Sequence, residues 1–173
     1  MNTRNASLPR RGFLLALTAA GASLGLAGCG FELRKAPIFA FKTLSLEGNT
    51  FFINQLRRDL RAAGTVTLVP PDQAKTADAV LVVLGEDRDR FIVSTDSAGL
   101  LREVQLRLRI RFRLHTPDGK ELLAATEVSQ TRDLSYNETN ALAKEAEADL
   151  LYRDMQTDIG QQLMRRLAAV KSL

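Results

Sequence analysis

Leu100-Leu101-Arg102-Glu103-Val104-Gln105-Leu106-Arg107-Leu108-Arg109-Ile110-Arg111-Phe112-Arg113-Leu114-His115 decides the fold class. Side chains along a strand alternate between its two faces. Val104, Leu106, Leu108, Ile110, Phe112 and Leu114 therefore share one face, and Gln105, Arg107, Arg109, Arg111, Arg113 and His115 share the other. Strict alternation of this kind specifies a strand buried on one side and wet on the other, the pattern of antiparallel sheet. Thr116-Pro117-Asp118-Gly119 follows as a turn, and residues 121–133 return as a second strand.

Working upstream, residues 94–99 form a turn preceded by Phe91-Ile92-Val93 and the charged run Glu86-Asp87-Arg88-Asp89-Arg90. Residues 79–84 are continuously apolar, as expected of a buried strand. Earlier still, residues 42–47 alternate around Leu44 and Leu46, and Gly48-Asn49-Thr50 supplies a turn and a helix N-cap. Phe52, Leu56, Leu60 and Ala63 recur at helical spacing until Gly64, and residues 65–69 make a short strand ended by Pro70-Pro71. Strand, helix and strand make a compact crossover unit.

Downstream, residues 139–170 form one long helix. Leu151, Met155, Ile159, Leu163 and Leu167 step by four, flanked by Ala148, Tyr152 and Met164, so the stripe is expected to face the sheet. Acids crowd the start of this helix and Arg165, Arg166 and Lys171 its end, which suits the helix dipole. The expected fold is α+β, with two helices packed on one face of a four- to five-stranded, mostly antiparallel sheet. Residues 42–173 make a single domain.

The face carrying Arg107, Arg109, Arg111 and Arg113 forms a ladder about 20 Å long. Guanidinium forks bind phosphate and carboxylate bidentately, so the ladder can hold a polyanion. It can equally dock on an acidic partner protein, or stand in solvent beside cross-strand acids such as Glu86, Asp87, Asp89 and Glu127.

Residues 1–28 read as an export signal. Arg4, Arg10 and Arg11 precede an apolar stretch from Phe13 to Leu26, which is too short to span a bilayer comfortably. Leu26-Ala27-Gly28-Cys29 then resembles the lipobox of bacterial lipoproteins, which implies cleavage before Cys29 and attachment of a diacylglycerol and an N-acyl chain to it. Gly30 in place of Asp fits delivery to the outer membrane by the same resemblance. Arg10-Arg11-Gly12-Phe13-Leu14 fits a twin-arginine signal as well as an ordinary secretory one. Residues 29–41, with Pro37, form an acylated N-terminal tether.

Composition excludes several classes of function. The chain holds 24 basic and 20 acidic residues, and removing the leader's three arginines leaves 21 against 20. A nearly neutral mature protein at the outer membrane is not a nucleic-acid binder. One cysteine and one histidine provide no disulfide, zinc cluster or Cys/His dyad. His115 sits at a strand end with no nucleophile-elbow pattern in the chain, and no Gly-rich phosphate loop follows a strand. Neither catalysis, a metal nor a dissociable cofactor is expected.

Four blocks carry a family resemblance. They are Cys29-Gly30-Phe31-Glu32-Leu33-Arg34, Leu56-Arg57-Arg58-Asp59-Leu60, Leu142-Ala143-Lys144-Glu145 leading into Leu151-Tyr152-Arg153-Asp154-Met155, and Gln161-Gln162-Leu163-Met164-Arg165-Arg166-Leu167. Their order resembles the lipopolysaccharide-assembly lipoproteins of the LptE family across the whole mature chain. That resemblance implies a non-enzymatic lipoprotein, anchored by lipid to the outer membrane and facing the periplasm. It also implies a one-to-one complex with the β-barrel LptD, in whose lumen the protein sits as a plug, aiding barrel assembly and lipopolysaccharide transport. By the same resemblance Lys144 contacts lipopolysaccharide. The family's second basic position falls near Ser97, where Arg102 can substitute. Lys144 has Ala148 at i+4 and no acid there to pair with. The alternative is a free lipoprotein that binds lipid or an envelope polymer without entering a barrel.

Overall fold

The alternating stretch forms strand β4, Leu101–His115, and every one of its six apolar residues from Val104 to Leu114 is buried. A computed structural model describes residues 36–136 and 138–172. Before β4 come β1 (Thr43–Glu47), helix α1 (Phe51–Ala63), β2 (Thr67–Val69), a 3-10 segment (Pro71–Thr76) and β3 (Ala79–Thr95). After it come β5 (Glu121–Ser135), a second 3-10 turn (Glu138–Asn140) and helix α2 (Ala141–Ala168). The strands make one sheet in the order β2-β1-β3-β4-β5. The long β3–β4 and β4–β5 pairings are antiparallel, and β1 runs parallel to both β2 and β3. This is the expected α+β arrangement with five strands.

Local chemistry accounts for the helices. The Thr50 hydroxyl accepts the Ile53 N–H at 3.2 Å, capping α1. Gly64 ends it in the left-handed conformation, at φ 66°, with its own N–H donating to Leu60 O. Phe52, Ile53, Leu56 and Leu60 bury the inner face of α1, and Ala148, Tyr152, Met155, Ile159, Leu163 and Leu167 bury that of α2. Both stripes join a single core with Leu44, Leu46 and the inner residues of β3 and β4. Phe41 is also buried there, with Phe39 stacked on it at 5.2 Å between ring centroids. The last residues of the expected tether therefore belong to the folded domain.

The charged run before β4 lies inside a strand, and β3 is continuous over 17 residues. A register shift between Val83 and Gly85 leaves Leu84 unmatched, a β-bulge. One extra residue exchanges the two faces. Ala79, Leu81 and Val83 point to the core before it. After it, Glu86, Arg88 and Arg90 oppose Ile110, Leu108 and Leu106 and so lie on the helix side. There the Glu86 carboxylate accepts the Phe52 N–H at 3.2 Å and the Gln156 side-chain amide at 2.7 Å. Arg88 lies over the Tyr152 ring, and Tyr152 Oη donates to Asp89 O at 2.8 Å. These charges fasten both helices to the sheet.

Candidate functional site

The same bulge decides which acids meet the arginine ladder. Asp87 and Asp89 now face outward, opposite Arg109 and Arg107. Asp89 Oδ2 accepts from both Arg107 and Arg109, with their Nη2 atoms at 3.2 and 3.1 Å. Arg111 approaches Asp87 at 3.8 Å, and its guanidinium lies across Gly85, where a Cβ would come within 2.9 Å of Nη2. Glycine at 85 makes room for that arm. Glu127 is in register with Arg111, and no ion pair joins the two. Glu86, expected among the neutralising acids, instead serves the helix side. Arg113 is exposed and has no ion pair among the described residues. The ladder is thus unevenly neutralised: Arg107 and Arg109 at one end are tied to Asp89, Arg111 approaches Asp87, and Arg113 at the His115 end is open. Phe91 adds an aromatic face beneath Arg107, with the guanidinium 4.6 Å from the ring centroid.

Lys144 and Arg102 lie at the other end of the sheet. The Tyr136 N–H donates to Arg102 O at 2.8 Å, and Ser135 pairs in register with Glu103. Lys144 Nζ donates to Ser135 Oγ at 3.3 Å and to Glu147 Oε2 at 2.8 Å. The first turn of α2 and the strand residue beside Arg102 are therefore joined through Ser135. Lys144 is not an unpaired exposed lysine, since its acid stands at i+3 instead of i+4. Arg102 reaches across the β3–β4 turn to Asp96, whose other oxygen accepts the Ala98 and Leu100 N–H groups, each at 2.9 Å. The Leu100 N–H first, and then the Arg102 guanidinium, hold the Asp96 carboxyl below its usual range. Ser97 is exposed in that turn. A third cation, Arg90, forks onto Glu145 at 2.8 and 3.0 Å, and this pairing lowers the Glu145 pKa.

Each of these three cations is thus held by one carboxylate near the surface. A phosphate offers the same cations charge-assisted hydrogen bonds of the kind these carboxylates supply. Ile92, Val93, Leu100 and Leu142 are exposed in the neighbouring segments, so charge and apolar surface occur at the same end. Sequence reasoning placed Lys144 and Arg102 as candidates but passed over Arg90, although its Glu145 belongs to the Leu142–Glu145 block.

Other expectations fall differently. Cys29 and the leader lie outside the described residues, as does most of the tether. His115 is half-buried, and its Nδ1 is 2.7 Å from Thr116 O, which fixes that nitrogen as a donor to backbone. Among the described residues no cluster of His, Cys, Asp or Glu is arranged to hold a metal ion. No described helix is long and apolar enough to cross a membrane.

Comparison with known proteins reaches most of the described domain. A family model described as LptE, lipopolysaccharide-assembly, matches residues 41–167. The LPS-assembly lipoprotein LptE of Yersinia enterocolitica is 32% identical over 162 residues, covering 91% of this chain and 76% of that protein. Its counterpart in Yersinia pestis is 32% identical over 163 residues with the same coverage. Among structures, lipoprotein B from Nitrosomonas europaea superposes with a TM-score of 0.69 at 29% identity, covering 81% of this chain and 91% of that one. Rare lipoprotein B from Shewanella oneidensis shares the fold, with a TM-score of 0.63 at 24% identity over 73% of this chain and 94% of that one.

Proposed function

The chain belongs to the LptE lipopolysaccharide-assembly family, and from that premise we propose that it sits one-to-one inside the LptD β-barrel as a plug. As a member of that family it is a lipoprotein of lipopolysaccharide assembly. Acylation of Cys29 with a diacylglycerol and an N-acyl chain anchors it in the outer membrane, facing the periplasm and the barrel lumen. Two or three chains make such anchoring stable, at about 0.8 kcal/mol per buried CH₂. From the lumen it assists barrel assembly and passes lipopolysaccharide toward the outer leaflet, without catalysis.

The observation that carries the ligand side of this reading is the exchangeable pairing of Lys144 with Glu147 and Ser135 beside the strand end that bears Arg102. Lipid A phosphates are stronger partners for these cations than the single carboxylates that hold them. Lys144→Ala combined with Arg102→Ala should weaken lipopolysaccharide binding about tenfold, equivalent to 1.4 kcal/mol. Undiminished binding would remove both residues from the site. Purification from membranes should bring out a stoichiometric barrel of several hundred residues. A lipoprotein recovered alone would favour the free lipid- or polymer-binding alternative. Cys29→Ser should abolish incorporation of labelled fatty acid.

A further inference from the structure

The edge of the sheet farthest from β5 holds a cleft that the lipopolysaccharide reading does not use. It encloses 340 Å³ and is lined by Arg57 and Arg61 of α1 together with Leu68, Val69, Pro70 and Pro71. Arg57 and Arg61 are four residues apart, so both lie on one side of the helix. Arg57 donates at 2.9 Å to the neutral side-chain oxygen of Asn54, and no carboxylate pairs with either arginine among the described residues. Two uncompensated guanidiniums thus overlook an apolar wall.

The backbone of that wall is itself open. Thr67 N–H donates to Lys42 O at 2.8 Å, which directs Thr67 toward β1. Alternation along the strand then turns the N–H and C=O of Leu68 away from β1, and β2 is the last strand on that side. An isolated phosphate would have no use for a free C=O or for the apolar wall. An extended peptide uses both, by adding a strand. In such a peptide, side chains two positions apart repeat about every 6.8 Å along the chain. Arg57 and Arg61 are displaced about 6 Å along the helix axis, from four residues at a 1.5 Å rise. The two spacings match.

We propose that this cleft docks an extended segment of a protein partner carrying acidic residues at alternate positions, its backbone paired to Leu68 and its carboxylates on Arg57 and Arg61. The site requires neither lipopolysaccharide nor the barrel and stands apart from Lys144 and Arg102. The test uses the purified, lipidated protein in detergent micelles and a fluorescein-labelled Val-Glu-Val-Glu-Val peptide, read by polarisation. The Glu peptide should bind at least about tenfold more tightly than Val-Gln-Val-Gln-Val, and Arg57→Gln with Arg61→Gln should erase that preference while leaving the circular dichroism spectrum unchanged. N-methylation of the central valine should weaken binding by a similar factor, because it removes a strand-pairing donor. Equal affinity for the two peptides, or an unchanged preference in the double variant, overturns the proposal. So does displacement of the peptide by inorganic phosphate at the peptide's own concentration, which would mark a simple anion site.

Discussion

The two ends of this sheet are covered differently. At the parallel end, β1 has α1 on one side and the 3-10 segment Pro71–Thr76 packed against it. Ser45, on the side of β1 away from the core, is fully buried, as is Val80 beside it in register. At the antiparallel end only one face is covered. The other presents Arg107 to Arg113 to solvent. Sequence pattern follows coverage: Ala79 to Val83 is uniformly apolar where both faces are covered, and β4 alternates where one is bare. The bulge at Leu84 stands at the border. A strand that changes from doubly to singly covered surroundings changes its pattern there, and the extra residue sends Glu86 inward and Asp89 outward.

Substitutions on the two faces of one strand should separate the covered side from the bare one. Leu108 is fully buried, and Leu108→Ala should cost about 2–5 kcal/mol in urea unfolding. Its neighbour Arg109, on the bare face, should cost less than about 1 kcal/mol as Arg109→Ala. Equal losses would mean that the arginine face is covered after all. Next in size is Glu86→Ala. It leaves the Gln156 amide and the Phe52 N–H without their acceptor on the helix side, and burial of such orphans costs about 1–3 kcal/mol. A loss no larger than that of an exposed acid such as Asp118→Ala would contradict the inward placement of Glu86.

Much of this was legible in the sequence where one rule governed one element. Alternation set the faces of β4, steps of four set the stripe of α2, and Thr50 and Gly64 bounded α1. The bulge was not legible, because a run of charges looks like an interruption until its partner strand supplies the register. Gly85 directly before that run was the available clue. Gln156 was missed for a related reason: a polar residue beside the stripe of α2 reads as solvated unless an inward acid waits for it. Of the candidate site, Lys144 and Arg102 were found by resemblance and Arg90 was not, since its pairing with Glu145 joins residues 55 positions apart.

A smaller effect separates the two ends by pH. Asp78 fastens the parallel end: its carboxylate accepts the Lys42 and Thr43 N–H groups at 2.8 and 2.9 Å. The Thr43 N–H and then the Lys42 N–H lower its pKa, outweighing a slight desolvation. A lowered folded pKa gives stability that is complete above the ordinary value near 3.8 and is lost as pH falls through the folded one. Asp78→Asn should therefore cost on the order of 1 kcal/mol at pH 7 and progressively less below pH 4. A penalty that stays constant with pH would assign the loss to packing instead of charge.

The smallest effect belongs to the bare face and is distinguished by salt. Arg107 and Arg109 share one acceptor, Asp89, with all three side chains roughly one-third exposed. Removing either arginine leaves the carboxylate with the other, so each single substitution should cost only a few tenths of a kcal/mol and Arg107→Ala with Arg109→Ala more than the sum of the two. Raising the ionic strength from 0.01 to 1 M shortens the screening length from about 30 to 3 Å, and the whole penalty should shrink with it. Substitutions on the covered face, such as Leu108→Ala, should be far less affected, since no charge is lost there. Binding of a polyanion to this face would steepen that salt dependence. With the anion present, the double variant should lose the ligand's stabilisation as well, and that loss should be largest at low salt, where guanidinium–phosphate attraction is least screened.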